Sequence, residues 1–498
     1  METDVLATPH TVQTAPPANH PDADRATRSR HAMPSVRPIP LLGWRAVALR
    51  LLRDPVLGLL RLQRTHGDIF ALGPEAGALV CTFAPAYNRQ LLTDTALFYN
   101  LDVTDSAAPV RMPPHTAAAR LLSGVAGMNG ARHKQQRHLL LPGFHRQHVA
   151  SLRDTLVDCI ERHVAGWPMG GRIEVAHEMV ELSLSLAIRG LLGLDPVEEG
   201  RHVRRALALW NEHGLSPQVA FLPYNVRGLP YQRFLKVAED LEGTLYSVIA
   251  RKRERGLDGG DALSILLQAR DENEDALTDV DLLGHLTTFF TAGHETTASA
   301  LTWTLFLLAQ HPRILADLTD ELDGALHGAA PRLDQLSQLP LLANVINEGL
   351  RMFPPSMWLL RTTTAPCALG PYELSGGTHI VLSPAVTHYR EDIYDQPHRF
   401  LPRRWETISP SPYEYLPFGA GPRRCLGATF AMLELQLALS IIVQRYHLTI
   451  PEGTRVDRGG TILSTPKGGL PMQLHPRGRH YAPTHVRGNI HELVRLES

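Results

Sequence analysis

Cysteine is scarce in this 498-residue chain: Cys81, Cys159, Cys367 and Cys425 are the only four, far apart and without a C-x-x-C pair. That speaks against a disulfide scaffold or a zinc ribbon and fits a reducing, cytoplasmic compartment. An excess of one charge is missing too, because Lys+Arg 49 against Asp+Glu 50 leaves a net charge of -1. No global field would draw nucleic acid. There is no Asn-x-Ser/Thr sequon, and the start lacks a basic segment followed by an apolar run, so neither secretion nor a signal anchor is expected. Phe, Trp and Tyr are absent from residues 1–35, which carry Pro9, Pro16, Pro17, Pro21 and Pro34. This composition cannot offset its ordering entropy, so 1–35 is expected to be a disordered tail. Its acids Glu2, Asp4, Asp22 and Asp24 argue against a transit peptide. With no long linker and no internal repeat, a single domain over 36–475 is expected, followed by a C-terminal tail at 476–498.

What is present is helical periodicity, in a chain that is 44% hydrophobic. Apolar residues recur at i, i+3, i+4 near 54–65, 85–97, 148–166, 174–193, 233–253 and 262–270. Strand signals are short: 69–72 with 78–82 reads as one hairpin and 372–374 with 379–382 as another. The longest helix is predicted from a Thr278 cap, with Asp281 reaching back, to Gln310 before Pro312. At ~1.5 Å per residue it spans about 50 Å. His285, His294, Glu295 and several threonines lie where a bilayer centre would be, so a core helix is expected rather than a membrane span. The fold class is mainly α with a small β lobe.

The chemistry concentrates in Phe418-Gly419-Ala420-Gly421-Pro422-Arg423-Arg424-Cys425-Leu426-Gly427. Its glycines and proline predict a tight loop able to approach a flat, bulky group. A thiolate there, beside backbone N–H groups, Arg423 and the start of a following helix, is expected to have its charged form favoured and to ligate iron. The segment resembles the haem-binding loop of the cytochrome P-450 family, F-G-x-G-x-R-x-C-x-G, at every fixed position. A nucleotide-loop parse fails, since Arg424 stands where the third glycine would be.

Three further stretches resemble the same family, in its order. Glu348-Gly349-Leu350-Arg351 gives E-x-x-R, which alone would read as a surface ion pair. With Pro402-Arg403-Arg404-Trp405 it resembles the family's structural network of Glu348, Arg351 and Arg404. Ala292-Gly293-His294-Glu295-Thr296-Thr297 is similar to A-G-x-[DE]-T-[TS]. There the resemblance implies room for haem and dioxygen beside Ala292 and Gly293, and a proton-relaying pair, Glu295 and Thr296, that helps the O–O bond break heterolytically. A zinc-protease reading fails because position 298 is Ala. His133 through Arg137 resembles the family's W-x-x-x-R helix with His in place of Trp.

The resemblance implies a haem-thiolate monooxygenase with haem b between the long helix and the cysteine loop. Cys425 would be the iron ligand, Phe418 and Gly427 its loop neighbours, and His133, Arg137, Arg361 and Arg423 the partners of the haem propionates. No flavin or iron–sulfur segment is present, so an external ferredoxin or flavodoxin-like donor is expected, docking near Arg132, Lys134, Arg403 and Arg424. The pocket is expected from 101–125, 221–230, 356–360 and 461–463, with Phe289, Phe290, Met357, Trp358, Leu359 and Ile462 as an apolar wall for a terpenoid, fatty-acid-like or polyketide-like substrate. Two alternatives stay open: a peroxide-driven or rearranging haem-thiolate enzyme, and a haem sensor without turnover.

Overall fold

The computed structural model describes residues 33–36, 51, 53–73, 79–101, 112–113, 115–214, 219, 224–257, 260–271, 274–460, 463–478 and 482–497. The expected tail therefore lies outside the described residues up to residue 32, as does Ile462. Helices form where the apolar period placed them. Pro55–His66 begins at Asp54, whose carboxylate accepts from Leu57 N at 3.0 Å. Pro85–Thr93 and Ala262–Gln268 also fall within their stretches, while the stretch at 148–166 divides at Leu152 into Arg146–Ser151 and Arg153–Ala165.

Seven helices frame the site: α1 (Gly130–Leu140), α2 (Val175–Leu192), α3 (Arg201–Gly214), α4 (Pro230–Arg255), α5 (Asp279–Gln310), α6 (Pro340–Met352) and α7 (Ala428–Arg445). The start of α5 is the predicted capping box: Asp281 N donates to Thr278 Oγ1 at 3.1 Å, and Thr278 N donates to the Asp281 carboxylate at 3.3 Å. Such reciprocal capping satisfies two amides that a helix start otherwise leaves unpaired. From there α5 crosses the interior, burying Leu286, Phe290, Leu301, Trp303 and Phe306 and packing along α2. Among the described residues, α7 is the one helix long and apolar enough to cross a membrane, and 67% of it is buried in the protein. It is a core helix, and it carries the chain away from Cys425.

The main sheet has six strands: β1 (Ser35–Val36), β2 (Ile69–Leu72), β3 (Leu79–Thr82), β4 (Phe98–Tyr99), β5 (Leu359–Thr363) and β6 (His379–Leu382), in the order β1-β2-β3-β6-β5-β4. The early hairpin is β2 with β3, in register Ile69 to Thr82. The later one is corrected. Tyr372–Leu374 pairs with Cys367–Leu369 across a turn in which Gly370 has φ 57°, and β6 instead joins β3 and β5. The C-terminal residues set apart as a tail also belong to the body: Val486, Ile490, Leu493 and Val494 are buried in the main core, and Glu492 pairs with Arg61 at 2.6 Å.

Candidate active site

The cysteine loop is closed by Cys425 N donating to Phe418 O at 2.8 Å. Gly421 has φ 69°, and a Cβ there would stand 2.2 Å from Leu92 O, so no side chain fits at that position. Cys425 is surrounded by protein on most sides yet remains accessible. One expectation is corrected here. Burial is the strongest influence on the thiol and raises its pKa; the Gly427 N–H, Arg137 and Arg424 favour the thiolate without cancelling it. The loop alone therefore holds a thiol.

Behind the loop, α6 carries a closed ionic knot. Glu348 is fully buried and accepts from Arg351 Nε and Nη2 at 2.9 Å, Arg404 Nε at 3.0 Å, Trp405 Nε1 at 3.0 Å and Leu401 N at 3.1 Å. Burial pushes the Glu348 carboxyl up, but Arg351 and Arg404 outweigh it and hold the pKa below the usual range. His388 extends the knot. Its Nδ1–H faces Arg351 O at 3.0 Å, so Nε2 is a lone pair and accepts from Leu416 N at 2.8 Å, two residues before Phe418. The pKa of this imidazole falls to about 3, first through burial and then through Arg351.

A second cluster is open. His133, Arg137, Arg361 and Arg423 come from α1, β5 and the loop, and none of them pairs with a carboxylate among the described residues. Arg137 donates to Arg424 O at 2.7 Å, Arg361 to Leu360 O at 2.8 Å, and Arg423 to Met128 O and Asn129 Oδ1 at 2.6 Å. Burial followed by the charge of Arg423 pulls Arg361 down to about 10; burial followed by Arg137 does the same to Arg423. His133 falls to about 4 for the same reasons, with Arg423 and Arg137 as its cationic neighbours. Arg423 Nε is buried without a partner.

The long helix α5 presents an open stripe within a stretch, residues 282–308, that is otherwise buried. Ala292 and Gly293 are exposed, and Thr288, Thr291, Glu295 and Thr296 half-buried. Thr296 Oγ1 donates to Ala292 O at 2.6 Å and Thr288 Oγ1 to Gly284 O at 2.8 Å, a back-bonding that competes with the helix ladder. Glu295 makes no hydrogen bond or ion pair among the described residues, and burial raises its pKa.

The cytochrome P-450 family model matches residues 54–471. The chain belongs to the cytochrome P-450 family. Cyclooctatin synthase of Streptomyces melanosporofaciens is 32% identical over 90% of this chain and 97% of its own length. Cyclooctat-9-en-7-ol 5-monooxygenase of the same organism is 30% identical, with 88% and 94% covered, and pentalenene oxygenase of Streptomyces avermitilis 30%, with 83% and 90% covered. Among solved structures, the haem domain of cytochrome P-450DA superposes with a TM-score of 0.77 at 25% identity, over 90% of this chain and 98% of that one. Retinoic-acid-bound cyanobacterial CYP120A1 superposes at 0.76 with 23% identity, over 90% and 100%. This cytochrome P-450 is thus a monooxygenase with haem as its cofactor.

The residues present fit that cofactor. An accessible sulfur lies in the cysteine loop, four cationic or donor groups lack a counter-charge, and the α5 stripe has open space where a Cβ on Gly293 would be. Two of the expected pocket residues are corrected. Phe290 is fully buried, and Phe289 packs edge-on against Phe144 at 4.8 Å and over His285 at 6.3 Å. The helical period turns Thr288, Ala292 and Thr296 to the opening instead. Met357 is buried too, its carbonyl accepting from Ser383 Oγ at 2.7 Å, while Trp358 and Leu359 are half-buried. The sequence pattern singled out neither His388 nor Glu434, and it gave Trp405, within the Pro402–Trp405 stretch, no bond of its own to Glu348. Glu434 on α7 is buried, its pKa well above the usual range through burial, and it accepts from Thr297 Oγ1 at 3.2 Å. An acid at an apolar-face position of α7 was the available signal.

Proposed function

We propose that this cytochrome P-450 inserts one oxygen atom of O2 into an apolar terpenoid skeleton, using electrons from a separate donor protein. The observation that carries the reading is Glu295, an unpartnered acid beside an open stripe of small and hydroxyl side chains. Two relatives named for oxygenations, of cyclooctat-9-en-7-ol and of pentalenene, support the substrate class, and a third is named for the synthesis of cyclooctatin.

Cys425 would hold the haem iron, with Arg137, Arg361, Arg423 and His133 on the propionates, where bidentate guanidinium geometry suits carboxylates. The bound haem supplies the redox centre at which dioxygen is cleaved. Apolar Trp358 and Leu359, both half-buried, would form part of the pocket wall and exclude water from the substrate. Burial raises the pKa of Glu295 and so favours its protonated form, and Glu295 would supply a proton by way of the Thr296 hydroxyl, which here donates to Ala292 O at 2.6 Å. Glu295 then reloads from solvent.

Lys134 and Arg424 are exposed and form no ion pair among the described residues, which supports a donor dock near Cys425. Arg132 and Arg403 contribute less net charge than expected, because Asp281 lies 3.3 Å from the first and Asp317 3.2 Å from the second. Unpaired cysteines support a cytoplasmic setting.

The test is turnover of a panel of cyclic terpene hydrocarbons and alcohols with surrogate ferredoxin and reductase under labelled dioxygen. One labelled atom in the product and dependence on the donor are expected. Product formed with peroxide alone would favour the peroxide-driven alternative, and ligand binding without product in any donor system would favour a sensor. Thr296→Ala should keep the haem while diverting electrons from product to peroxide; unchanged coupling would remove the relay assignment.

A further inference from the structure

His294 stands inside the 292–297 motif yet points away from the cavity. At ~100° per residue it lies roughly 200° around α5 from Ala292, and it is buried against α3. Its ring is held at both ends. Nδ1 is 2.5 Å from Phe290 O, and since a carbonyl only accepts, Nδ1 carries the hydrogen. Nε2 is then a lone pair, and it accepts from Asn211 Nδ2 of α3 at 3.0 Å. Burial keeps this imidazole neutral, against smaller opposing pulls from Phe290 O and Glu181. Glu181 of α2 is the charged group facing it from a neighbouring element, and it pairs with Arg204 of α3 at 3.0 Å; Glu295 follows on α5 itself.

The consequence lies in the helix ladder. Phe290 O and Ala292 O each accept from a side chain one turn ahead, His294 and Thr296, on either side of Gly293. Donation of this kind loosens and bends a helix locally. How far α5 opens beside Glu295 and Thr296 thus depends on where the His294 ring points, and Asn211 fixes that direction. Asn211 is itself held in place: it is buried, and its neighbour Trp210 packs at a tilt against Phe234 of α4, with ring centroids 5.1 Å apart.

We propose that Asn211 and His294 form a clasp through which the seating of α3 sets the alignment of Glu295 and Thr296, making His294 a positioning residue of the proton relay. The proposal rests on the relay reading given above.

The test uses the haem-loaded enzyme with the panel terpene it turns over fastest, and reads peroxide released per NAD(P)H consumed across pH. Asn211→Leu keeps the branching of the side chain but cannot donate, and a several-fold rise in peroxide at every pH is expected, with the carbon monoxide band unchanged. Asn211→Asp separates positioning from mere packing. The new carboxylate meets Nε2 only when His294 is protonated and raises the imidazole pKa, so the clasp forms below that pKa and is lost as pH rises through it. A peroxide yield that is near wild type at low pH and climbs with pH is expected, where the wild type shows no such step. Should Asn211→Leu fail to load haem, the Asn211→Asp profile decides. Wild-type yields and profiles in both variants, while Glu295→Gln raises peroxide, would overturn the clasp and leave the relay standing. If Glu295→Gln also changes nothing, both fall.

Discussion

Arg351 and Arg361 stand ten positions apart in the chain and both are buried, yet their surroundings are opposite. Arg351 donates twice to Glu348, its cation is reinforced, and every neighbour in the knot has a partner. Among the described residues Arg361 bonds only the carbonyl of Leu360; it faces the like charge of Arg423 and has its pKa pulled down to about 10. A buried charge without a counter-charge is costly, so a protein retains such a cluster only where something anionic completes it. The difference sorts arginines of equal depth into two jobs. The closed knot holds the scaffold of the cysteine loop, through Arg351, His388 and Leu416; the open cluster is the one we propose to hold the two propionates of haem.

The largest effect should come from opening the closed knot. Glu348→Gln leaves Arg351 and Arg404 buried without a counter-charge, and a loss of about 3–5 kcal/mol is expected, of the size found when one member of a buried pair is removed. Urea unfolding of the haem-free protein would measure it; a loss within experimental error would erase the distinction between the two clusters.

Next, Arg361→Gln should act with opposite signs in two states. Without haem it relieves repulsion, so the thermal midpoint rises; with haem it removes a charge-assisted contact of about 1.5–3 kcal/mol, and haem dissociates roughly tenfold faster or more. A fall of the haem-free midpoint would show that Arg361 is structural after all.

The smallest effect belongs to Glu434, a buried acid with one hydroxyl partner and no cation among the described residues. Its folded-state pKa is raised, so its contribution is complete below the ordinary glutamate range and is lost as pH rises toward the raised value. Thermal midpoints from mildly acidic to alkaline pH should therefore decline more steeply in the wild type than in Glu434→Gln. Parallel curves would mean that Glu434 is ionised and paired.

These contrasts also mark what the chain's order makes readable. The cysteine loop and the Glu348 and Arg351 pair are local, with three-residue or ten-residue spacing, and so is the Thr278 cap; each was legible. Partners far along the chain were not. Glu434 meets Thr297 across 137 positions and Leu416 meets His388 across 28, and no local pattern announces either contact. The second hairpin was misread because β6 pairs with β3, about 300 residues earlier, in preference to its neighbour. Phe289 and Phe290 were misplaced because hydrophobicity suggested a pocket wall while the helical period turned them into the packing. There the small and hydroxyl side chains, not the aromatic ones, face the opening.

The measurement that tests the account most directly is the carbon monoxide difference spectrum of the reduced, haem-loaded wild type beside Cys425→Ala. The account predicts a strongly red-shifted Soret band in the wild type, from a thiolate on iron, and its loss in the variant. A histidine-type band in the wild type, or a red-shifted band that survives Cys425→Ala, would contradict it.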